Sequence, residues 1–70
     1  MGNNIWGKRI KAYRKLKGYT QVGFAKEVGL SVSILGELER GNRVPTLELL
    51  QKIAKTLDVS LDELDPHQES

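Results

Sequence analysis

An all-α fold of five short helices is predicted by three observations. Apolar residues recur three and four apart along most of the chain. Helix-starting Ser or Thr residues stand before the apolar segments at Thr20, Ser31, Thr46 and Ser60. The stretch QVGFAKEVGLSVSILGELER, Gln21 to Arg40, has the residue types needed by two helices that cross at close range across a tight turn. Ala25 supplies a small side chain for the crossing, and Gly29 can take positive φ at the turn without strain from a Cβ. Phe24, Val28, Leu30, Leu35 and Leu38 give the two helices inward apolar faces. This combined spacing is that of a helix-turn-helix, which makes DNA the leading partner.

The first helix is expected over about residues 5–17. Trp6, Ile10, Tyr13 and Leu16 form its buried stripe, while Lys8, Lys11 and Lys15 lie on another face. Gly18 is its stop, and Lys15 and Lys17 suit the negative end of its dipole. Thr20 caps a second helix over 21–28, and Ser31 caps a third over 32–40 that ends at Gly41 and Asn42. The segment from Gly41 to Pro45 is a loop, since Pro45 disfavours helix in the residue before it. Thr46 caps a fourth helix over 47–57, with Leu47, Leu50, Ile53, Ala54 and Leu57 on its inner face. Ser60-Leu61-Asp62-Glu63 reads as a capping box that opens a short fifth helix over 61–65. Asp65-Pro66 ends it, and residues 67–70 are expected to be a disordered tail.

Seventy residues accommodate one domain, here 1–66, whose small core needs compact helix packing or oligomerisation. The absence of cysteine excludes disulfides and thiolate metal sites. The one histidine, His67, sits in the polar tail, and Asp58, Asp62, Glu63 and Asp65 read as a solvated helix face, so no metal or cofactor is expected. No catalytic constellation is present, which makes an enzyme the weakest class. No apolar run spans a membrane and no signal peptide is visible, so a soluble cytoplasmic protein is expected. Charge is uneven. Residues 1–26 carry seven bases and no acid, whereas 27–70 carry four bases and nine acids, for an overall +2. Such asymmetry suggests a phosphate-facing end.

The stretches GKRIKAYR (7–14), YTQ (19–21), FAKEVGLS (24–31), ELERG (37–41), PTLELL (45–50) and IAKTLDVSLDEL (53–64) resemble the lambda-repressor-like, Xre-type family of bacterial and phage DNA-binding domains. The resemblance covers about residues 5–65 and implies a compact five-helix bundle. It implies a bacterial or phage-encoded regulator on the nucleoid, a repressor acting as a dimer on a pseudo-palindromic operator. It places Gln21, helped by Thr20, on a backbone phosphate, which agrees with the free N–H groups and positive dipole of a helix start. Arg40, Asn42 and Arg43, around the loop after the third helix, are implied as further phosphate contacts. The base edges fall to Ser31, Val32, Ser33, Gly36 and Glu37. Val32 suits a thymine methyl, Glu37 a cytosine amino group, and Gly36 a close backbone approach. Relatives commonly carry Arg, Lys or Gln at some of these places, and this helix has no long donor before Arg40. Arg14 and Glu39 are implied to form an internal salt bridge. Leu57, Val59, Leu61 and Leu64 mark the C-terminal region through which the resemblance implies a homodimer, with most of them closing the monomer core and one or two left at the subunit interface. The alternative is a protein-interaction module on the same fold, docking a partner or antagonist protein on the partly apolar, acidic face of the third helix.

Overall fold

The computed structural model describes residues 5–64. Its helices are α1 (Ile5–Leu16), α2 (Gln21–Val28), α3 (Val32–Glu39), α4 (Leu47–Leu57) and α5 (Leu61–Leu64), with no strand among the described residues. The expected tail at 67–70, with His67, and the Asp65-Pro66 stop lie outside the described residues.

Three helices start on the expected caps. The hydroxyl oxygens of Thr20, Ser31 and Thr46 accept from the amides of Gly23, Ile34 and Leu49 at 3.0, 3.2 and 3.1 Å. Each satisfies a donor that the first helical turn cannot pair. Helix ends follow one pattern four times. A residue with left-handed backbone closes α1, α2, α3 and α4, namely Gly18, Gly29, Gly41 and Asp58. The next amide then bonds the carbonyl five residues back: Tyr19 to Arg14, Leu30 to Ala25, Asn42 to Glu37 and Val59 to Ala54, at 2.8–3.0 Å. This is the Schellman arrangement, for which glycine has the lowest strain. Asp58 adopts it with φ 62° despite its Cβ.

The core is one cluster drawn from every helix: Ile10, Phe24, Ala25, Val28, Leu35, Leu38, Leu50, Ile53, Ala54, Leu57 and Leu64. The helix α3 packs against α1 and α2, while α4 packs against α1, α2 and α5. The closest approach is at Gly7, which the sequence did not single out. A Cβ there would overlap the Leu38 carbonyl oxygen and lie 3.0 Å from that of Glu39, so the α1 backbone sits directly on the C-terminal turn of α3.

Three expectations are corrected. Leu16 is 75% exposed and does not belong to the buried stripe. At about 100° per residue it stands about 120° around α1 from Ile10, beyond the half-buried Tyr13. Arg14, about 40° from Ile10, takes the inner position instead. Leu47 is 58% exposed, so it does not lie on the inner face of α4. The opening of α5 is a single turn in which the Glu63 amide donates to the Ser60 carbonyl at 3.1 Å, not a capping box. Leu57 and Leu64 are enclosed in the monomer core, whereas Val59 and Leu61 are half-buried.

Candidate nucleic-acid interface

The start of α2 offers a concentrated set of donors. Thr20 is exposed with extended backbone, and its oxygen accepts from Gly23. The amides of Gln21 and Val22 have no acceptor among the described residues, as expected of a first helical turn. Gly23 has a local reason to lack a side chain, since a Cβ would stand 3.0 Å from the capping Thr20 oxygen.

Gln21 is half-buried and does not simply project outward. Its Nε2 donates to Glu39 Oε1 at 3.1 Å, which uses one of its two hydrogens. That glutamate is also the acceptor for Arg14. Arg14 Nε reaches Glu39 Oε2 at 2.7 Å and Nη2 reaches Oε1 at 3.2 Å, a bidentate pair with side chains only 7% and 2% exposed. Arg14 Nη1 then donates to the Tyr19 carbonyl at 2.9 Å. One buried network therefore joins α1, the turn before α2, the first residue of α2 and the last residue of α3. Both sides of the pair are satisfied by several bonds, the condition under which a buried charge is tolerable. The Arg14–Glu39 expectation is met in full, and the link to Gln21 and Tyr19 was not visible in the sequence. The Tyr19 ring lies against Phe24 with centroids 5.1 Å apart, which fixes the turn from its other side.

On α3, the expected base-edge residues separate into two groups. Ser31, Val32 and Ser33 are exposed at the helix start, and Val32 is 41% exposed. Gly36 is buried and Glu37 half-buried. Glu37 is not alone: its Oε1 accepts from Arg43 Nε at 2.8 Å. A residue expected at bases and one expected at phosphate thus hold each other across the Gly41 turn. The space above Gly36 is taken by the protein itself. A Cβ there would lie 3.1 Å from Arg40 Nη1 and 3.9 Å from both Arg40 Cζ and Gln21 Nε2. Asn42 is exposed, with its backbone in the α3 terminus.

The basic N-terminal third is less uniform than its sequence suggests. Arg14 is interior, and Arg9 Nη1 donates to the Glu63 carbonyl at 2.8 Å, tying α1 to α5. Lys8, Lys11, Lys15, Lys17 and Lys26 are exposed. No helix among the described residues is long and apolar enough to cross a membrane.

Comparison with known proteins agrees with this geometry. The family described as Helix-turn-helix (HTH_3) matches residues 10–64. An uncharacterised HTH-type transcriptional regulator of Bacillus subtilis, YazB, is 62% identical over 66 residues, covering 94% of this chain and 96% of that protein. The restriction-modification controller protein C.AhdI from Aeromonas hydrophila superposes with a TM-score of 0.85 at 34% identity, covering 91% of this chain and 98% of that one. The N-terminal DNA-binding domain of SinR from Bacillus subtilis superposes with a TM-score of 0.81 at 39% identity, covering 87% and 90%. Full-length SinR is 41% identical over 59 residues, 83% of this chain and 53% of SinR. With the turn geometry, the crossing helices and these matches in accord, the chain belongs to the helix-turn-helix (HTH_3) family of the Xre, lambda-repressor-like type.

Proposed function

We propose that this protein is a sequence-specific double-stranded DNA-binding transcriptional regulator that acts as a repressor, with α2 held across the phosphate backbone and α3 in the major groove. The observation that carries this reading is the buried Arg14–Glu39–Gln21 network. It locks the donor-rich start of α2 to α3 in one fixed relation, as simultaneous contact with backbone and bases requires. Thr20, Gln21, Asn42 and Arg43 serve the phosphates. Gln21 does so with the hydrogen that Glu39 does not use. Ser31, Val32, Ser33 and Glu37 serve the base edges, with Glu37 freed or reoriented as Arg43 turns to a phosphate.

One domain of this size contacts few base pairs, so a two-fold dimer on two half-sites about one helical turn apart is the working assembly. Val59 and Leu61 are the apolar residues of the C-terminal region left partly exposed for it.

The test is selection of bound sites from random duplex DNA, followed by titration at several salt concentrations. A paired half-site and a steep loss of affinity with salt are expected. Arg43→Ala should weaken all duplexes alike and flatten the slope by about one unit per chain. Failure to bind any duplex at low salt would overturn the reading in favour of a protein-interaction module, docking a partner or antagonist on α3.

A further inference from the structure

Arg40 is unlike the other three arginines of this chain. Arg9 donates to the Glu63 carbonyl, Arg14 to Glu39 and Tyr19, and Arg43 to Glu37. The Arg40 guanidinium has no acceptor among the described residues, and the residue is exposed. Its backbone sits at the C-terminal cap of α3, yet its side chain does not continue into the loop. It is laid back one turn over Gly36, with Nη1 3.1 Å and Cζ 3.9 Å from where a Cβ of residue 36 would be. Ser33, Gly36, Glu37 and Arg40 follow one another at spacings of three, one and three, so they share one face of the helix.

This changes what the glycine is for. The family resemblance assigned Gly36 to close backbone approach and Arg40 to a phosphate. Gly36 is instead covered by the arginine, and the covering atoms are the far end of a flexible side chain. The first two turns of α3 contain no long donor, while a guanidinium with all its donors free is placed over the second turn.

We propose that Gly36 is a seat that lays Arg40 along α3, so that Arg40 becomes the missing base reader and takes the paired acceptors on the major-groove edge of a guanine. The planar fork of a guanidinium matches those two acceptors in a fixed geometry, which a serine hydroxyl with its single donor cannot do. Gly36 acts only through Arg40 and is a positioning residue. This inference rests on the DNA-binding reading and specifies which residue carries its sequence preference.

The experiment compares wild type, Arg40→Ala, Gly36→Ala and the double variant, all as the full chain. Each is used to select sites from random duplex DNA. Each is then titrated on the wild-type site and its single base-pair substitutions at two salt concentrations, and melted thermally. Arg40→Ala should lose preference for one G·C pair per half-site by roughly 5- to 150-fold. Gly36→Ala should lose the same preference, because its methyl displaces the guanidinium. Its melting midpoint should nevertheless rise by about 4–8 °C, since alanine is the better helix former. The double variant should read like Arg40→Ala alone.

Uniform loss on every duplex with a flatter salt slope would make Arg40 a phosphate ligand and overturn the proposal. So would a Gly36→Ala variant that keeps the wild-type base preference. A lowered midpoint for Gly36→Ala would make the glycine a packing residue, with the same consequence. Wild type that bound no duplex would instead reject the DNA-binding reading itself.

Discussion

The helix α3 carries two Glu–Arg pairs, two residues apart, with almost the same contact distance and opposite meanings. Glu39–Arg14 is closed at 2.7 Å with side chains 2% and 7% exposed, and Glu37–Arg43 at 2.8 Å with side chains 38% and 48% exposed. The buried carboxylate also accepts from Gln21, and the buried guanidinium also donates to Tyr19. Neither partner of the exposed pair has another side-chain bond among the described residues. Desolvation is the difference. An interior pair holds because breaking it strands a charge without water, whereas a surface pair exchanges one solvated partner for another at little cost. One face of α3 is consequently a fixed joint, and the face two residues away is free to exchange its partners.

The largest effect expected from this contrast is at the joint. Arg14→Ala should destabilise by ~3–5 kcal/mol through the uncompensated Glu39 charge. For a domain of this size that lowers the thermal midpoint by about 12 °C or more. Replacing both partners, Arg14→Met with Glu39→Leu, should recover most of the loss because no charge is left behind. If Arg14→Ala melts like wild type, the pair is not the joint described here.

A smaller effect is expected where α1 meets the same end of α3. Gly7→Ala inserts a methyl into the Leu38 and Glu39 carbonyls and should cost about 1–3 kcal/mol, read as a lowered midpoint in denaturant or heat. A neutral result would mean that the two helices can part without consequence. The smallest effect belongs to the exposed pair. A double-mutant cycle with Glu37→Gln and Arg43→Gln should give a coupling of about 0.2–1 kcal/mol, shrinking as salt is added. A coupling as large as that of the buried pair would erase the distinction.

The same contrast explains what could be read from the chain. Helix starts and ends were legible because their chemistry is local: a hydroxyl three residues before an amide, and a glycine where φ turns positive. The buried network was half legible. The Arg14–Glu39 pair came from the family resemblance, but Gln21 joining it depends on how α2 is rotated against α3, which no spacing encodes. Leu16 was misplaced because a count of threes and fours drifts around a helix. The charge asymmetry is real but unevenly presented by the fold. Sequence sees seven cations in the first third, whereas folding directs Arg14 inward and Arg9 onto the Glu63 carbonyl. Gly7 and Gly36 were opaque for a related reason. What a missing side chain makes room for is known only once the neighbour is in place.

The Arg9–Glu63 bond and the enclosed Leu64 carry a consequence for biosynthesis. The four-residue α5 is far too short to hold its turn unaided. It lies against α1, so the last segment of the described chain completes a core begun by the first. A ribosome emits α1 first and α5 last, so the two sides of this closure emerge at opposite ends of synthesis. The first helix can meet α3 and α4 earlier, but its contact with α5 stays open until residue 64 has emerged. Folding then proceeds as one event for the whole domain, and a nascent chain arrested short of Leu64 should remain open to proteolysis throughout.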